Sequence, residues 1–106
     1  MNKKDALKYP DGSIFENGYG TVAKKVMQDT ELTIEAKAIY AYLCTYMGAG
    51  NTAFPSVAKM CYDLQIYKDR FYKHFNLLIE HEYIKKNRTH YTKTGKFANN
   101  VYTLVF

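Results

Sequence analysis

Apolar residues recur at spacings of three and four through the middle of this chain and at a spacing of two near its end, and the change of period marks its architecture. The clearest run is Thr33 to Met47, where Ala36, Ile39, Tyr40, Leu43, Tyr46 and Met47 fall on one helical face. Thr33 is placed to cap that helix, and Glu35 lies in its first turn, where the backbone dipole favours a carboxylate. Gly48 and Gly50 end it. Pro55-Ser56 opens a second, shorter helix, with Ser56 as its cap and Val57, Met60, Cys61 and Leu64 on one face. The connection Asp63-Leu-Gln-Ile-Tyr67 leads into a third helix from Lys68 to about His81, whose core face is set by Phe71, Phe75 and Leu78. Its outward side displays Asp69, Lys73, Asn76 and Glu80, with Arg70 and Tyr72 on the flanks.

Tyr83 to Thr89 and Asn99 to Phe106 favour extended structure, and Val101, Thr103 and Val105 alternate with Tyr102, Leu104 and Phe106. Between them His90 to Ala98 is polar and carries Lys93 and Lys96, which predicts a hairpin with a long basic tip. At the other end, residues 1–18 hold the turn signals Pro10-Asp11-Gly12 and Asn17-Gly18 and read as a loosely held arm or a short edge strand. Tyr19, Thr21 and Val22 could begin a strand that passes into a helical turn from Ala23 to Gln28. Asn51 to Phe54 could add one more short strand.

Two short helices joined by a tight turn, packed on an earlier helix and followed by a hairpin, describe a winged helix-turn-helix. The expected fold class is therefore α+β, a three-helix core with a C-terminal β-hairpin wing, over residues 19–106. Cys61, Gln65 and Phe71 support it independently, standing where such a motif needs a small residue, a turn and a buried anchor.

Charge gives that fold a direction. Residues 1–67 carry seven Lys against seven Asp or Glu, whereas residues 68–96 carry eight Lys or Arg against Asp69, Glu80 and Glu82. A neutral body with one basic segment suits a polyanion, because each cation placed on a phosphate releases counterions. Glu80 and Glu82 divide the segment into a helical patch and a hairpin patch. Composition, at 47% hydrophobic and 24% charged, is that of one globular domain, and its eleven Tyr imply that some phenol rings are at the surface. No run is long and apolar enough for a membrane span or a signal peptide, so a cytoplasmic location is expected. Cys44 and Cys61 read as small core residues. No phosphate loop, paired catalytic carboxylates or nucleophile elbow is present, and the spacings of Cys44, Cys61, His74 and His81 match no common zinc pattern. An enzyme, a metal, a cofactor and a small-molecule substrate are not expected.

The run Thr-Ile-Glu-Ala-Lys-Ala-Ile-Tyr-Ala-Tyr-Leu from Thr33, then Phe54-Pro-Ser, then Asp63-Leu-Gln-Ile-Tyr-Lys-Asp-Arg-Phe-Tyr-Lys-His and Glu82-Tyr-Ile, resembles the winged-helix domains of plasmid and phage replication initiators and DnaD-like primosome proteins of Gram-positive bacteria. Gly20-Thr-Val-Ala-Lys-Lys-Val-Met matches the lead-in to the first long helix of those proteins. The resemblance implies sequence-specific binding of double-stranded DNA, with the third helix in the major groove and replication proteins as further partners. Arg70 would then reach a guanine edge, Asn76 an adenine, and Lys68, Tyr72 and Lys73 the phosphates, with Tyr67 on backbone or a thymine methyl. Lys93 and Lys96 suit the adjacent minor groove or backbone, with Arg88 and His90 on the approach. Lys85 and Lys86 are expected to face opposite ways, so that only one points to DNA.

The sequence departs from that family's pattern at Gln65 and Glu82, which stand where glycine is usual, and at Tyr67, which replaces a capping Ser or Thr. Transcriptional regulators share the scaffold. A rival reading is a protein-interaction module in which exposed Tyr residues and the apolar end Val101 to Phe106 form a homodimer surface.

Overall fold

In the computed structural model, which describes residues 12–47, 54–88 and 100–106, four helices precede a two-stranded sheet. They are α1 (Lys24–Met27), α2 (Ile34–Met47), α3 (Val57–Leu64) and α4 (Lys68–Glu80), followed by β1 (Ile84–Arg88) and β2 (Asn100–Leu104). This is the expected α+β order, a helical core and then an antiparallel hairpin.

Each helix starts where the local chemistry allows. Thr33 Oγ1 accepts the Ala36 N–H at 3.1 Å, and Ser56 Oγ accepts the Lys59 N–H at 3.1 Å, so α2 and α3 both have an orphan donor satisfied at the first turn. Such caps are worth about 1 kcal/mol each. Tyr67 caps α4 with its backbone alone, as its phenol makes no capping bond among the described residues.

The core collects Ala36, Ile39, Tyr40, Leu43 and Cys44 from α2, Met60 from α3, Phe71, Phe75 and Leu78 from α4, and Ile84 and Leu104 from the hairpin. The α2 set recurs at i, i+3, i+4, i+7 and i+8, the stripe a core-facing helix needs. Phe71 and Phe75 stack with centroids 5.1 Å apart, and Tyr102 meets Phe75 edge-on at 5.0 Å, which seats the sheet on α4. Burying each such ring or aliphatic side chain contributes about 1.5–3 kcal/mol. Cys44 is buried and Cys61 half-buried, both as free thiols.

The hairpin register pairs Ile84 with Leu104, Lys85 with Thr103 and Lys86 with Tyr102. Directly opposed residues share a face. Lys86 therefore stands on the helix side with Tyr102, and Lys85 on the other side. Val105 extends the pairing by donating to the Tyr83 carbonyl at 3.0 Å, and Phe106 beyond it is fully exposed. The side chains of Met47, Arg88 and Val101, and the whole of the tip from His90 to Ala98, lie outside the described residues.

The minor elements differ in part from the expectation. Tyr19, Thr21 and Val22 form no strand among the described residues. Gly20 is pressed instead against the backbone of α2, where an added Cβ would stand 2.1 Å from the Cys44 carbonyl oxygen, and the chain then enters α1 directly. The Ala23 N–H donates to the Tyr40 hydroxyl at 3.3 Å, fixing this approach. From Gly12 to Asn17 the chain makes turns rather than an edge strand, with Gly12 and Gly18 at positive φ, and residues 1–11 of the expected arm lie outside the described set. Phe54 is not in a strand, and Asn51 to Ala53, on which the rest of that expectation falls, lie outside the described residues.

Candidate nucleic-acid interface

The turn between α3 and α4 is closed by two backbone bonds. The Ile66 N–H reaches the Cys61 carbonyl at 3.1 Å, and the Gln65 N–H reaches the Tyr62 carbonyl at 3.3 Å. This is a Schellman motif, which needs a left-handed residue where the helix stops. Gln65 takes that conformation at φ 55° and ψ 48° despite its side chain, and its Nε2 donates to the Tyr62 carbonyl at 2.6 Å. The same pattern closes α4, with Tyr83 N–H on the Leu78 carbonyl at 2.9 Å, Glu82 N–H on the Ile79 carbonyl at 3.0 Å, and Glu82 at φ 63°. Both sites where glycine was expected are thus left-handed, at a cost of about 1–2 kcal/mol each.

Side chains then lock α3 and the exit of α4 in place. Asp63 accepts from the Tyr42 hydroxyl and from Lys59 Nζ at 3.1 Å, joining α3 to α2. The Tyr42 hydroxyl bond is the larger cause holding the Asp63 carboxyl below its usual range, followed by Lys59. Burial, and then the Asp63 carboxylate, push the Tyr42 phenol up. At the far end of α4 the Tyr83 hydroxyl donates to Asp29 Oδ2 at 2.7 Å, which lowers the Asp29 carboxyl.

Held this way, α4 turns Phe71, His74, Phe75 and Leu78 inward and leaves Lys68, Asp69, Arg70, Tyr72, Lys73, Asn76 and Glu80 exposed. The candidate residues Lys68, Arg70, Tyr72, Lys73 and Asn76 share this one helix, and Tyr67, 89% exposed, stands at its start. Among the described residues no ion pair holds Lys68 or Lys73. Tyr72 rests its ring edge-on against Phe71 at 5.7 Å, which stiffens an otherwise exposed phenol. Of the hairpin candidates, Arg88 is placed only through its backbone, opposite Asn100, and Lys93 and Lys96 lie outside the described residues. Lys85 and Lys86 are exposed.

Arg70 is placed differently from its neighbours. Its Nη2 donates to Glu35 Oε2 at 3.2 Å, and His74 Nε2 lies 3.2 Å from that same oxygen. The other ring nitrogen of His74 is 2.7 Å from Thr33 Oγ1. The Glu35 carboxyl is held below its usual range by its own backbone N–H first and by Arg70 second.

The family scan matches the helix-turn-helix domain over residues 30–84, more than half of the chain. The chain belongs to the helix-turn-helix domain family. The family match takes in α2, α3, the turn at Gln65 and the whole of α4, and it ends on Ile84, the first residue of the hairpin. No curated protein and no solved structure matches the chain. No helix among the described residues is long and apolar enough to cross a membrane, and no group of three His, Cys, Asp or Glu among them could hold a metal ion.

Within this helix-turn-helix domain, sequence reasoning passed over His74 and Glu35 as neighbours of Arg70 on α4. A signal was available: Phe71, His74, Phe75 and Leu78 have the i, i+3, i+4, i+7 spacing of a buried stripe. A histidine inside that stripe demands polar partners, and Thr33 and Glu35 at the start of the preceding helix supply them.

Proposed function

We propose that this helix-turn-helix domain binds double-stranded DNA in a sequence-specific manner, laying α4 in the major groove with the hairpin against the adjacent backbone. The observation that carries the reading is the exposed surface of α4, where Lys68, Tyr72, Lys73 and Asn76 are all exposed on one helix fixed by the turn at Gln65. Lys68, Lys73 and Tyr72 take phosphates, Asn76 and Arg70 read base edges, and Tyr67 touches backbone or a thymine methyl. Arg88, Lys93 and Lys96 extend the contact along the hairpin. In this reading the protein acts in the cytoplasm without catalysis, cofactor or metal.

The role we favour is initiation of plasmid, phage or mobile-element replication, on the strength of the resemblance carried by the runs from Thr33 to Ile84. Transcriptional control uses the same scaffold. Selection of bound sites from random duplexes separates the two, since direct repeats suit an origin array and a palindrome suits a symmetric dimer.

Binding should weaken with salt at a log-log slope of roughly −4 to −6, from five to seven phosphate contacts. Lys93→Ala with Lys96→Ala should weaken all duplexes about equally. A flat salt response, or no binding at low salt, would rule the reading out and favour a docking module. One feature supports that second reading: a groove of about 620 Å³ walled in part by Val22, Val26, Tyr40, Leu104, Val105 and Phe106.

A further inference from the structure

We propose that Glu35, on the helix before the motif, is a positioning residue for Arg70 and thereby sets how sharply the domain discriminates at one base pair. The inference rests on the DNA-binding reading above.

Arg70 is one residue before Phe71 and so about 100° round the helix from the core anchor, on a flank rather than on the outward face. A free arginine at such a place forfeits rotamer freedom when it is ordered against a base. Here the guanidinium is already held. Its Nη2 is bound to Glu35 Oε2, while the side chain remains 56% exposed and its other N–H groups can serve a second partner.

The carboxylate that holds it is itself built into the fold. Glu35 Oε2 also meets the Nε2 of His74, a residue 5% exposed, and the Nδ1 of that ring is fixed by Thr33 Oγ1 at 2.7 Å. If His74 Nε2 carries the proton and donates to Glu35, Nδ1 accepts from the Thr33 hydroxyl, and Thr33 Oγ1 still accepts the Ala36 N–H. Every polar atom in this chain of contacts then has a use. An ordinary surface ion pair would be loose and worth little; this one has its acid clamped by a buried ring.

Two consequences with opposite signs follow for DNA. A preoriented guanidinium loses less on docking to a guanine edge, so discrimination at that base pair rises. The same carboxylate also repels a phosphate approaching Arg70, so binding to random duplex is weakened.

The test compares the parent, Glu35→Ala, Glu35→Gln, Arg70→Ala and the Glu35→Ala/Arg70→Ala pair against the selected site, its single-base variants and random duplex. Circular dichroism of each variant reports the fold. Glu35→Ala should cut discrimination at the Arg70-dependent base pair about fivefold to tenfold while raising affinity for random duplex about threefold. Glu35→Gln, which keeps an acceptor and removes the charge, should raise random-duplex affinity and retain most of the discrimination. In the Arg70→Ala background, Glu35→Ala should leave discrimination unchanged. A Glu35→Ala protein that loses specific and random affinity in parallel, or one that keeps the parental preference while Arg70→Ala abolishes it, overturns the inference and leaves DNA binding standing. A parent with no duplex binding overturns both.

Discussion

Along its flank against α2, helix α4 is tied down: Arg70 and His74 reach Glu35 and Thr33, and the His74 ring is buried. On its outward face Lys73 and Asn76 meet no hydrogen-bond or ion-pair partner among the described residues, and the side chains end in solvent. One helix thus carries polar groups under two regimes. Desolvated polar groups are costly to leave unpaired, so a change at buried His74 on the tied flank should register in folding. Solvated cations contribute little to stability, so a change on the outward face should register in binding.

His74→Ala gives the largest expected effect. It removes a buried ring and takes one of two partners from each of Thr33 Oγ1 and Glu35, and we expect a loss of about 2–4 kcal/mol in urea unfolding. A loss under 0.5 kcal/mol would erase the distinction between the two sides. Lys73→Ala should do the reverse. Its unfolding free energy should stay within about 0.5 kcal/mol of the parent while the DNA salt slope falls in magnitude by about 0.9.

The smallest effect expected is in acid. Asp29, Glu35 and Asp63 are all held below their ordinary values, chiefly by the Tyr83 hydroxyl, by the Glu35 backbone N–H and by the Tyr42 hydroxyl respectively. A carboxyl whose folded pKa is lowered adds stability that is complete above the unfolded value, about 4, and is lost as pH falls through the folded one. Stability followed by urea unfolding should therefore fall as the pH drops below about 4, and Glu35→Gln should remove part of that fall whereas Lys73→Ala should not. Stability that rose on acidification through this range would contradict the assignment of these bonds.

The main helices and hairpin were legible because their signals are local. Thr33 and Ser56 announce helix starts, and Phe71, Phe75 and Leu78 define a face without reference to any other part of the chain. Even the strained positions could be read, since Gln65 and Glu82 occupy sites where the motif must reverse its hand. The segment from Tyr19 to Val22 misled because alternation signals a strand only if a partner strand lies beside it. What lies there is the backbone of α2, and the approach of Gly20 to Cys44 leaves no periodic trace. The Glu35, Arg70 and His74 cluster was hidden for a related reason. Its partners are 35 and 41 positions apart, and only the packing of α2 on α4 brings them together.

The hydroxyl of Thr33 has two duties: it stops the first turn of α2 from fraying, and it is a wall of the seat in which His74 rests. Ordinarily the end of a helix opens on its own, at little cost to the rest of a protein. Here such an opening would withdraw a partner from the middle of α4. The amides of Ala36 and Lys37 should therefore exchange with solvent in step with those around His74, so that the start of one helix and the seating of the next open and close as a single cooperative unit.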